Sequence, residues 1–251
     1  MSVNYTNDYL LDKQVKIFQP VDGYRASTDA VLLAAMVKTD TKNVRILDVG
    51  SGTGAVSLCL AQRFQQHNVE IHGLEIQPEL AELANMSAQA NGFTFLQYYQ
   101  ADIRQQLGNE NLQPCSFDIV ITNPPYSDND LPSPNKSKAT AHNLDHFDLM
   151  AWLKFCVKMT KPFGHIYLIN RAAALPQICT ALAGRAGGLT ILPLYSKTAQ
   201  KAKRVIVVAQ KDSKAPAQIL PPFVVHQENG EYTAAAQKIL REGRGYDNIC
   251  E

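Results

Sequence analysis

The tetrapeptide Asn123-Pro124-Pro125-Tyr126 is the segment whose residue types specify a chemistry most narrowly. Proline fixes its own φ and pushes the preceding residue towards an extended conformation, so this backbone is stiff. It can direct the Asn123 side-chain oxygen and the Pro124 carbonyl at the two protons of one planar NH2 group, while Tyr126 stacks on the attached ring. Two acceptors localise the nitrogen lone pair, so the segment predicts a site that activates an amine as a nucleophile. A proline-rich turn after a strand is the plainer alternative.

A glycine-rich segment, Asp48-Val-Gly-Ser-Gly-Thr-Gly54, separates a predicted strand from a predicted helix. Gly50, Gly52 and Gly54 allow backbone N–H groups to approach an anionic or zwitterionic ligand at the start of the helix, and Asp48 adds a carboxylate. Gly50, Gly52 and Ala55 also match the dinucleotide pattern GxGxxA, so this segment alone leaves a nicotinamide cofactor open. A glycine-rich turn without a ligand is a third interpretation.

Acidic residues end the next two predicted strands. A carboxylate at Glu75 can accept hydrogen bonds from the ribose hydroxyls of either NAD or S-adenosylmethionine. Asp102, with Ile103 after it, can accept from an adenine amino group, and this third acid has no counterpart in the NAD pattern. Each acid alone is typical of a solvated strand end or a turn cap. Three acids at successive strand ends, behind one glycine-rich segment, favour a nucleoside cofactor.

Short β-branched runs alternate with longer helical patterns along the chain, which predicts an α/β fold whose mostly parallel sheet is covered on both faces. Ligands then bind beyond the carboxyl ends of the strands. We expect residues 1–43 to form a short amino-terminal cap and residues 44–251 to form one domain that includes the basic carboxyl-terminal portion. Strands are predicted over 44–49, 70–76, 94–100, 117–122, 165–170, 189–195 and 204–210, and helices over 29–37, 55–64, 78–91 and 144–159.

The composition, with 45% hydrophobic and 19% charged residues in 251, is that of an ordinary globular chain. An odd number of cysteines, 5 in all and none spaced CxxC, argues against a disulfide framework and a zinc site. His142 and His146 lack a third ligand nearby, so we predict no metal. Without a long apolar run or a secretory leader at the amino terminus, the chain is expected to be a cytoplasmic enzyme with no membrane contact.

Basic residues are concentrated near the end of the chain, with a further pair in the Pro/Ser/Asn-rich loop predicted over 127–141. Such charges can neutralise phosphates and position an RNA without reading its sequence. Lysines that protect an exposed strand edge are the equally weighted alternative. The residues are Lys197, Lys201, Lys203, Arg204, Lys211 and Lys214, together with Lys136 and Lys138 in the loop.

Taken in order, DVGSGTG, LEI, AD and NPPY resemble the class I S-adenosylmethionine-dependent amino-methyltransferases over residues 44–170. The resemblance implies a doubly wound, Rossmann-like sheet of seven strands with the last strand antiparallel. It implies S-adenosylmethionine along the strand ends, with Asn123 close to both cofactor and acceptor. It also implies that Asp29 and Arg25 line the cofactor pocket, although a helix cap would explain Asp29 as well.

The flanking segments FQPVDGYRASTDAVLLAA, AKRVIVVAQK and HQENGEYTAAAQKILREG are similar to the bacterial tRNA1(Val) adenine-N6 methyltransferases. This resemblance implies methyl transfer to the N6 amine of the adenine 3′ of the anticodon, with tRNA as the partner. Because NPPY also occurs in enzymes that methylate cytosine N4 or a release-factor glutamine, N5-glutamine methylation of a protein is the alternative. About 43 residues precede the first sheet strand, which we expect to be too few for the helical domain of the release-factor enzymes.

Overall fold

The computed structural model describes residues 4–23, 25–39, 43–105, 107–125 and 149–250, and the alternation of strands and helices continues throughout them. The strands are β1 (Tyr5–Leu10), β2 (Val15–Pro20), β3 (Val44–Val49), β4 (Val69–Glu75), β5 (Leu96–Gln100), β6 (Phe117–Thr122), β7 (Thr160–Arg171), β8 (Ala186–Tyr195), β9 (Arg204–Lys211), β10 (Gln218–Ile219) and β11 (Phe223–Val224). The helices are α1 (Thr28–Met36), α2 (Ala55–Phe64), α3 (Pro78–Ala90), α4 (Leu149–Met159), α5 (Leu175–Leu182), α6 (Ala234–Leu240) and α7 (Asp247–Cys250), with a short 3-10 turn at Ala172–Ala174.

The central sheet has the order β10-β8-β9-β7-β6-β3-β4-β5, with β11 also paired to β8, and therefore nine strands within the described residues. All of them run parallel except β9, which is antiparallel to both β7 and β8. The strand order reverses at β3, whose neighbours are β4 and β6. Ligands of doubly wound sheets bind at such a switch point, so the ends of β3 and β6 are where a site is expected.

Two hydrophobic clusters cover the two faces of this sheet. Ile46 and Ile121 belong to the cluster under α1, α2, α3 and α6, whereas Leu47 and Val120 belong to the cluster under α4 and α5. Because successive side chains of a strand point to opposite faces, a strand buried on both sides is apolar almost throughout. The sequence of β3, VRILDV, has this composition.

The strands β1 and β2 form a separate antiparallel hairpin that packs on α3. The Phe18 backbone N–H donates to the Ser87 hydroxyl at 2.9 Å, and the Lys16 N–H donates to the Asn91 side chain at 2.8 Å. Helix α1 follows the hairpin, and its residues from Ala30 to Met36 are all buried in the first hydrophobic cluster. This hairpin lies in the segment for which we expected a short amino-terminal cap. The domain boundary at residue 43 stays a prediction.

The α/β prediction is confirmed, and β3, β6 and α2 have the predicted ends. The predicted number of seven strands was wrong for the described residues, because β10 and β11 extend the edge at β8. Each of these strands has only two residues, too few for a periodic pattern to show. The strand predicted over 165–170 is longer and begins at Thr160. Residues 144–148 of the predicted helix and the predicted loop 127–141 lie outside the described residues.

Candidate cofactor and acceptor site

The glycine-rich segment after β3 turns sharply into α2. Gly50, Gly52 and Gly54 all have positive φ, at 71°, 55° and 84°, a region that other residues enter only at a cost. The Gly50 and Ser51 backbone N–H groups both donate to the Leu74 carbonyl at 2.9 Å, which joins the turn to the end of β4. The three glycines are therefore required by the backbone path itself, and the turn places the start of α2 at the switch point.

The space beneath this turn is filled by the Tyr98 ring. A Cβ atom added at Gly54 would lie 2.3 Å from the Tyr98 hydroxyl oxygen, and one added at Gly73 would lie 2.2 Å from the ring. The Tyr98 hydroxyl donates to the Gly54 carbonyl at 3.2 Å and lies 2.9 Å from the Ser57 hydroxyl. Tyr98 and the glycines thus form one packed unit.

Asp48 is buried at the end of β3, directly before the turn. Its Oδ2 accepts a hydrogen bond from the Ser57 hydroxyl at 2.8 Å. Burial raises the pKa of Asp48 from its ordinary value of 3.8 to about 7, although the Ser57 hydrogen bond acts in the opposite direction. Burial therefore favours the neutral form of this carboxyl group.

Three buried oxygens at this turn have no hydrogen-bond partner among the described residues: Asp48 Oδ1, Ser51 Oγ and Thr53 Oγ1. Buried polar atoms in folded proteins are nearly always hydrogen-bonded, to protein, water or ligand. One carboxylate and two hydroxyls, beside the amino-terminal end of α2, suit the ammonium and carboxylate groups of a zwitterion. The residues present therefore fit the amino-acid end of S-adenosylmethionine.

Glu75 ends β4 and faces the same turn. Its Oε2 accepts from the Gly52 N–H at 2.8 Å, and its Oε1 accepts from the Gln77 N–H at 2.9 Å. Burial raises the pKa of Glu75, and the backbone hydrogen bonds partly oppose that rise. Each carboxylate oxygen can accept a second hydrogen bond, so the geometry is compatible with the predicted ribose contact. That contact stays a prediction, while the link from Glu75 to Gly52 adds a structural role for this residue.

Asp102 and Ile103 follow β5, as expected, but Asp102 is already paired with a neighbour. The Arg104 guanidinium donates to both Asp102 oxygens, from Nε at 2.8 and 3.0 Å and from Nη2 at 2.6 Å. The Arg104 side-chain bonds lower the pKa of Asp102, so this carboxyl is held in its charged form. The predicted adenine contact of Asp102 and Ile103 stays a prediction, and such a contact would share the carboxylate with Arg104.

The tetrapeptide that begins with Asn123, which we call the acceptor motif because it is predicted to bind the methyl acceptor, follows β6 directly at the switch point. Asn123 is half-buried, Pro124 is buried and Pro125 is exposed, and Tyr126 lies outside the described residues. Because β6 is the parallel neighbour of β3, with Thr122 opposite Val49, Asn123 lies beside the glycine turn. The structure thus brings the two most specific motifs of the sequence to adjacent strand ends.

A side chain from α4 contacts both of these strand ends. The Trp152 indole N–H donates to the Thr122 hydroxyl at 2.9 Å, and Thr122 donates in turn to the Val49 carbonyl at 2.8 Å. The same indole lies against Gly50, where an added Cβ would come within 2.7 Å of it. Trp152 therefore packs at the junction of the two motifs.

The comparisons with known proteins agree on one family. The methyltransferase-domain family matches residues 40–206. A tRNA1(Val) (adenine(37)-N6)-methyltransferase of Parabacteroides distasonis is 29% identical over 164 residues, which are 65% of this chain and 66% of that protein. The protein of the same name from Glaesserella parasuis serovar 5 is 31% identical over 234 residues, which are 88% of this chain and 91% of that one. The chain belongs to this methyltransferase family.

A solved structure gives the same answer for the fold. A protein described as a predicted O-methyltransferase from Agrobacterium tumefaciens superposes with a TM-score of 0.71 at 26% identity, over 86% of this chain and 97% of that one. Membership of a methyltransferase family favours S-adenosylmethionine over a nicotinamide as the cofactor. The functions of individual site residues in the methyltransferase stay predictions.

Asp29, which we expected at the cofactor, forms an ion pair with Arg204, which we assigned to RNA binding. The Arg204 Nε donates to Asp29 Oδ2 at 2.9 Å, where β9 begins beside the start of α1. Arg25 pairs with Asp8 at 2.7 Å, and thereby joins the hairpin to the segment that leads into α1. Cofactor contacts of Asp29 and Arg25 stay predictions, and in the methyltransferase both side chains also stabilise the entry to α1.

The basic cluster of the sequence is divided by the fold. Lys201 and Lys203 are exposed in the turn between β8 and β9, at the same edge as the candidate site. The Lys197 ammonium donates to the Glu228 carbonyl at 2.7 Å, near the same turn. Strand β9 carries Lys211 to the opposite edge, where it donates to the Thr160 carbonyl at 2.8 Å, and Lys214 follows it there. Lys136 and Lys138 lie outside the described residues.

Neither a metal site nor a membrane helix appears in the part of the chain that the structure describes. No three His, Cys, Asp or Glu side chains there come together as metal ligands do. His142 and His146 fall outside that part. Within it, every helix is too short or too polar to cross a bilayer.

Sequence reasoning missed the residues that pack the site together. Ser57 and Tyr98 support the glycine turn, and Thr122 and Trp152 join it to the acceptor motif. No pattern along the chain connects them, because they come from α2, β5, β6 and α4. Arg104 is different, since the spacing Asp-x-Arg after a strand could have indicated its pairing with Asp102.

Proposed function

We propose that this methyltransferase transfers a methyl group from S-adenosylmethionine to the N6 amine of an adenine in tRNA, at the position 3′ of the anticodon of tRNA1(Val). The observation that carries the proposal is the position of Asn123 and Pro124 at the end of β6, directly beside the glycine turn at the end of β3. The names of the relatives from Glaesserella parasuis and Parabacteroides distasonis specify this same base and atom. Because its proposed substrate is tRNA, we also propose that the enzyme acts in the cytoplasm.

In the proposed complex, the cofactor lies along the ends of β3, β4 and β5. Asp48, Ser51 and Thr53 bind its amino-acid end, and the buried unpaired oxygens of these side chains are evidence for such a ligand. The N–H groups of Gly50, Gly52 and Gly54 already donate within the protein, so these glycines shape the turn that holds the ligand. Glu75 binds the ribose, while Asp102 and Ile103 bind the adenine. S-adenosylmethionine supplies an electrophilic methyl group on a sulfonium. Asn123 lies between the cofactor and the acceptor base and also contacts the cofactor.

At the acceptor, the protein has to make a poor nucleophile reactive. The exocyclic nitrogen of adenine delocalises its lone pair into the ring. In our proposal the Asn123 amide oxygen and the Pro124 carbonyl each accept a hydrogen bond from one N–H of this amine. The two hydrogen bonds turn the nitrogen lone pair towards the cofactor. Pro125 stiffens the segment and Tyr126 stacks on the base. Orientation of this kind contributes most of the acceleration in reactions that join two bound groups.

A tRNA substrate agrees with the charges on the same edge. Lys197, Lys201, Lys203 and Arg204 lie at or beside the β8–β9 turn, and cations there would bind phosphates without reading sequence. We assign Lys136 and Lys138 to the same role. An unpaired base of an anticodon loop enters a pocket at lower cost than a base in a duplex. We further propose that residues 44–251 form the catalytic domain and that residues 1–43 form its cap.

The experiment uses methyl-labelled S-adenosylmethionine and total RNA from cells that lack this gene. After incubation with the enzyme, the RNA is fractionated and digested, and the labelled nucleoside is identified by mass and by the labelled tRNA species. Labelled N6-methyladenosine in tRNA1(Val) is the expected result. Label on a ribose oxygen or on cytosine, or label in a release-factor glutamine with none in RNA, would overturn the proposal. A purified release factor is therefore included as a parallel substrate.

A further inference from the structure

Two motifs at adjacent strand ends must stay in register to within a fraction of an ångström if a methyl group is to pass between their ligands. The last main-chain pair between β3 and β6 is Val49 with Thr122, one residue before Gly50 and one residue before Asn123. Side chains near Thr122 are therefore placed to influence the spacing between the glycine turn and Asn123.

Thr122 is fully buried, and its hydroxyl has partners on both sides. It donates to the Val49 carbonyl at 2.8 Å and accepts from the Trp152 indole N–H at 2.9 Å. A hydroxyl has one donor and two acceptor positions, so both bonds form at once. The first bond joins the last residues of β3 and β6, and the second fixes the indole against the pair.

The indole itself lies on the glycine turn. A Cβ atom at Gly50 would lie 2.7 Å from Cζ2 and 2.8 Å from Cη2 of Trp152, so the ring contacts the Gly50 backbone directly. Trp152 is buried, and its neighbour Leu153 anchors α4 in the hydrophobic cluster on this face of the sheet. The rigid Trp152 ring thus contacts the glycine turn through its carbon atoms and β6 through its N–H group.

We infer that Trp152 and Thr122 are positioning residues for methyl transfer, which set the spacing between the cofactor turn at Gly50 and the acceptor residue Asn123. The inference rests on the proposed function, in that it takes Asn123 to bind the acceptor amine. Neither residue touches the reacting atoms in this account. Their effect is on the geometry of groups that do, so turnover depends on them more than the affinity for the cofactor does.

The chain offers a matched control for Thr122. Thr160 is another fully buried threonine, whose hydroxyl donates to the Cys156 carbonyl at 2.7 Å, at the opposite end of α4. Thr122→Val and Thr160→Val each exchange a hydroxyl for a methyl group and each leave a buried carbonyl without that donor. Thr122→Val also removes the hydroxyl that accepts from the Trp152 indole N–H, so it should lose somewhat more thermal stability than Thr160→Val. Only the first should change the geometry between Gly50 and Asn123.

The first experiment measures kcat, the KM for tRNA and the Kd for S-adenosylhomocysteine. We expect Thr122→Val to lower kcat by about 10–100-fold with little change in that Kd, because a displacement near 1 Å costs about this much. Thr122→Ser, which retains the hydroxyl, should restore most of kcat, and Thr160→Val should leave kcat at the wild-type value. Equal losses of kcat in the two valine variants would overturn the inference. If Thr122→Val does not fold, Trp152→Phe is measured against Thr160→Val by the same criterion.

The second experiment needs no methyl acceptor. Trp152 is the chain's single tryptophan, so its fluorescence reports on this junction without interference. We expect saturating S-adenosylhomocysteine to shift the emission of the wild-type enzyme, because the ligand binds at the turn that the ring contacts. Binding without any shift, with binding verified by calorimetry, would contradict the inference even if RNA is methylated. A shift in an enzyme that fails to methylate tRNA would contradict the proposed function alone.

Discussion

The glycine turn and the β8–β9 turn lie at the same edge of the sheet but are built in opposite ways. At the glycine turn, Asp48 and Glu75 are buried and hydrogen-bonded to groups within the turn and the helix that follows it. At the β8–β9 turn, Lys201 and Lys203 are exposed. A buried polar site acts through fixed geometry, whereas exposed charges act through a screened field. Substitutions in the first region should therefore have large effects that salt does not alter, and those in the second should have small effects that salt does alter.

The largest effect is expected at Asn123, which lies beside the buried glycine turn. Asn123→Ala should lower kcat by about 10²–10³-fold, the usual cost of removing one oriented hydrogen-bonding group from a reaction centre. The Kd for S-adenosylhomocysteine should change little, because our proposal places the ligand's main contacts at the ends of β3 and β4. Asn123→Asp, which keeps an acceptor oxygen, should retain more activity than the alanine variant. Steady-state kinetics and calorimetry measure the two quantities separately. Lost cofactor affinity with normal kcat would contradict the assigned role of Asn123.

The glycine turn should be nearly as sensitive, through stability as well as binding. Gly54→Ala places a Cβ 2.3 Å from the Tyr98 hydroxyl at a φ of 84°. The left-handed conformation alone costs about 1–2 kcal/mol for a residue other than glycine, and the overlap adds to this. We expect a clear fall in the free energy of unfolding, measured with urea, and weaker binding of S-adenosylhomocysteine.

Gly92→Ala is the control, because Gly92 has a φ of 72° but no atom within 4 Å of an added Cβ. It should show the conformational cost without the overlap and leave cofactor binding unchanged. If the two variants lose equal stability, the Tyr98 contact has no energetic weight. That result would leave backbone conformation as the whole reason for a glycine at position 54.

The sequence could predict features that depend on neighbouring residues, and it could not predict contacts between residues that are distant along the chain. The ends of β3, α2 and β6 were predicted correctly, because a strand buried on both faces is apolar throughout and the glycines and prolines that follow it restrict the backbone locally. The order of acids and glycines predicts a cofactor site beyond the carboxyl ends of the strands, and the structure brings the glycine turn and Asn123 to the adjacent ends of β3 and β6.

The contacts that complete the site could not be predicted in this way. Tyr98 and Trp152 lie against glycines that are distant from them along the chain, and no periodic pattern records which ring fills the space above a glycine. The basic cluster was divided for a related reason. A strand of eight residues spans about 25 Å, so Arg204 and Lys211 are at opposite edges although they are close in sequence. Strand length, rather than charge spacing, decides which lysines share an edge.

Asp48 gives an effect on stability that depends on pH. Its pKa is raised from 3.8 to about 7 in the folded chain, so the folded state binds this proton more tightly than the unfolded state does. The free energy of unfolding should therefore fall as the pH rises from about 4 to about 7, and the loss should be complete above that range. Asp48→Asn stays neutral throughout, so its melting temperature relative to the wild type should increase across this range and then level off.

The comparison uses the cofactor-free enzyme, and the difference between the two proteins removes the contribution of groups that titrate in both. His72 is one such group, since burial lowers its pKa and it therefore destabilises the fold when it is protonated in acid. A difference in melting temperature that stays constant from pH 4 to pH 8 would mean that Asp48 keeps one charge state over that range. Burial would then not explain the charge state of the Asp48 carboxyl group.

The exposed turn gives the smallest effect, and salt distinguishes it from all the others. Lys201→Ala and Lys203→Ala should each raise the KM for tRNA modestly and leave kcat and cofactor affinity unchanged. Each should also reduce the slope of log affinity against log salt concentration by about 1 if that lysine binds one phosphate. Lys214→Ala removes the same charge at the opposite edge, so its slope should equal that of the wild type. Equal slopes for Lys201→Ala and Lys214→Ala would mean that net charge, rather than the β8–β9 turn, attracts the RNA, and the contrast between the two turns would then concern stability alone.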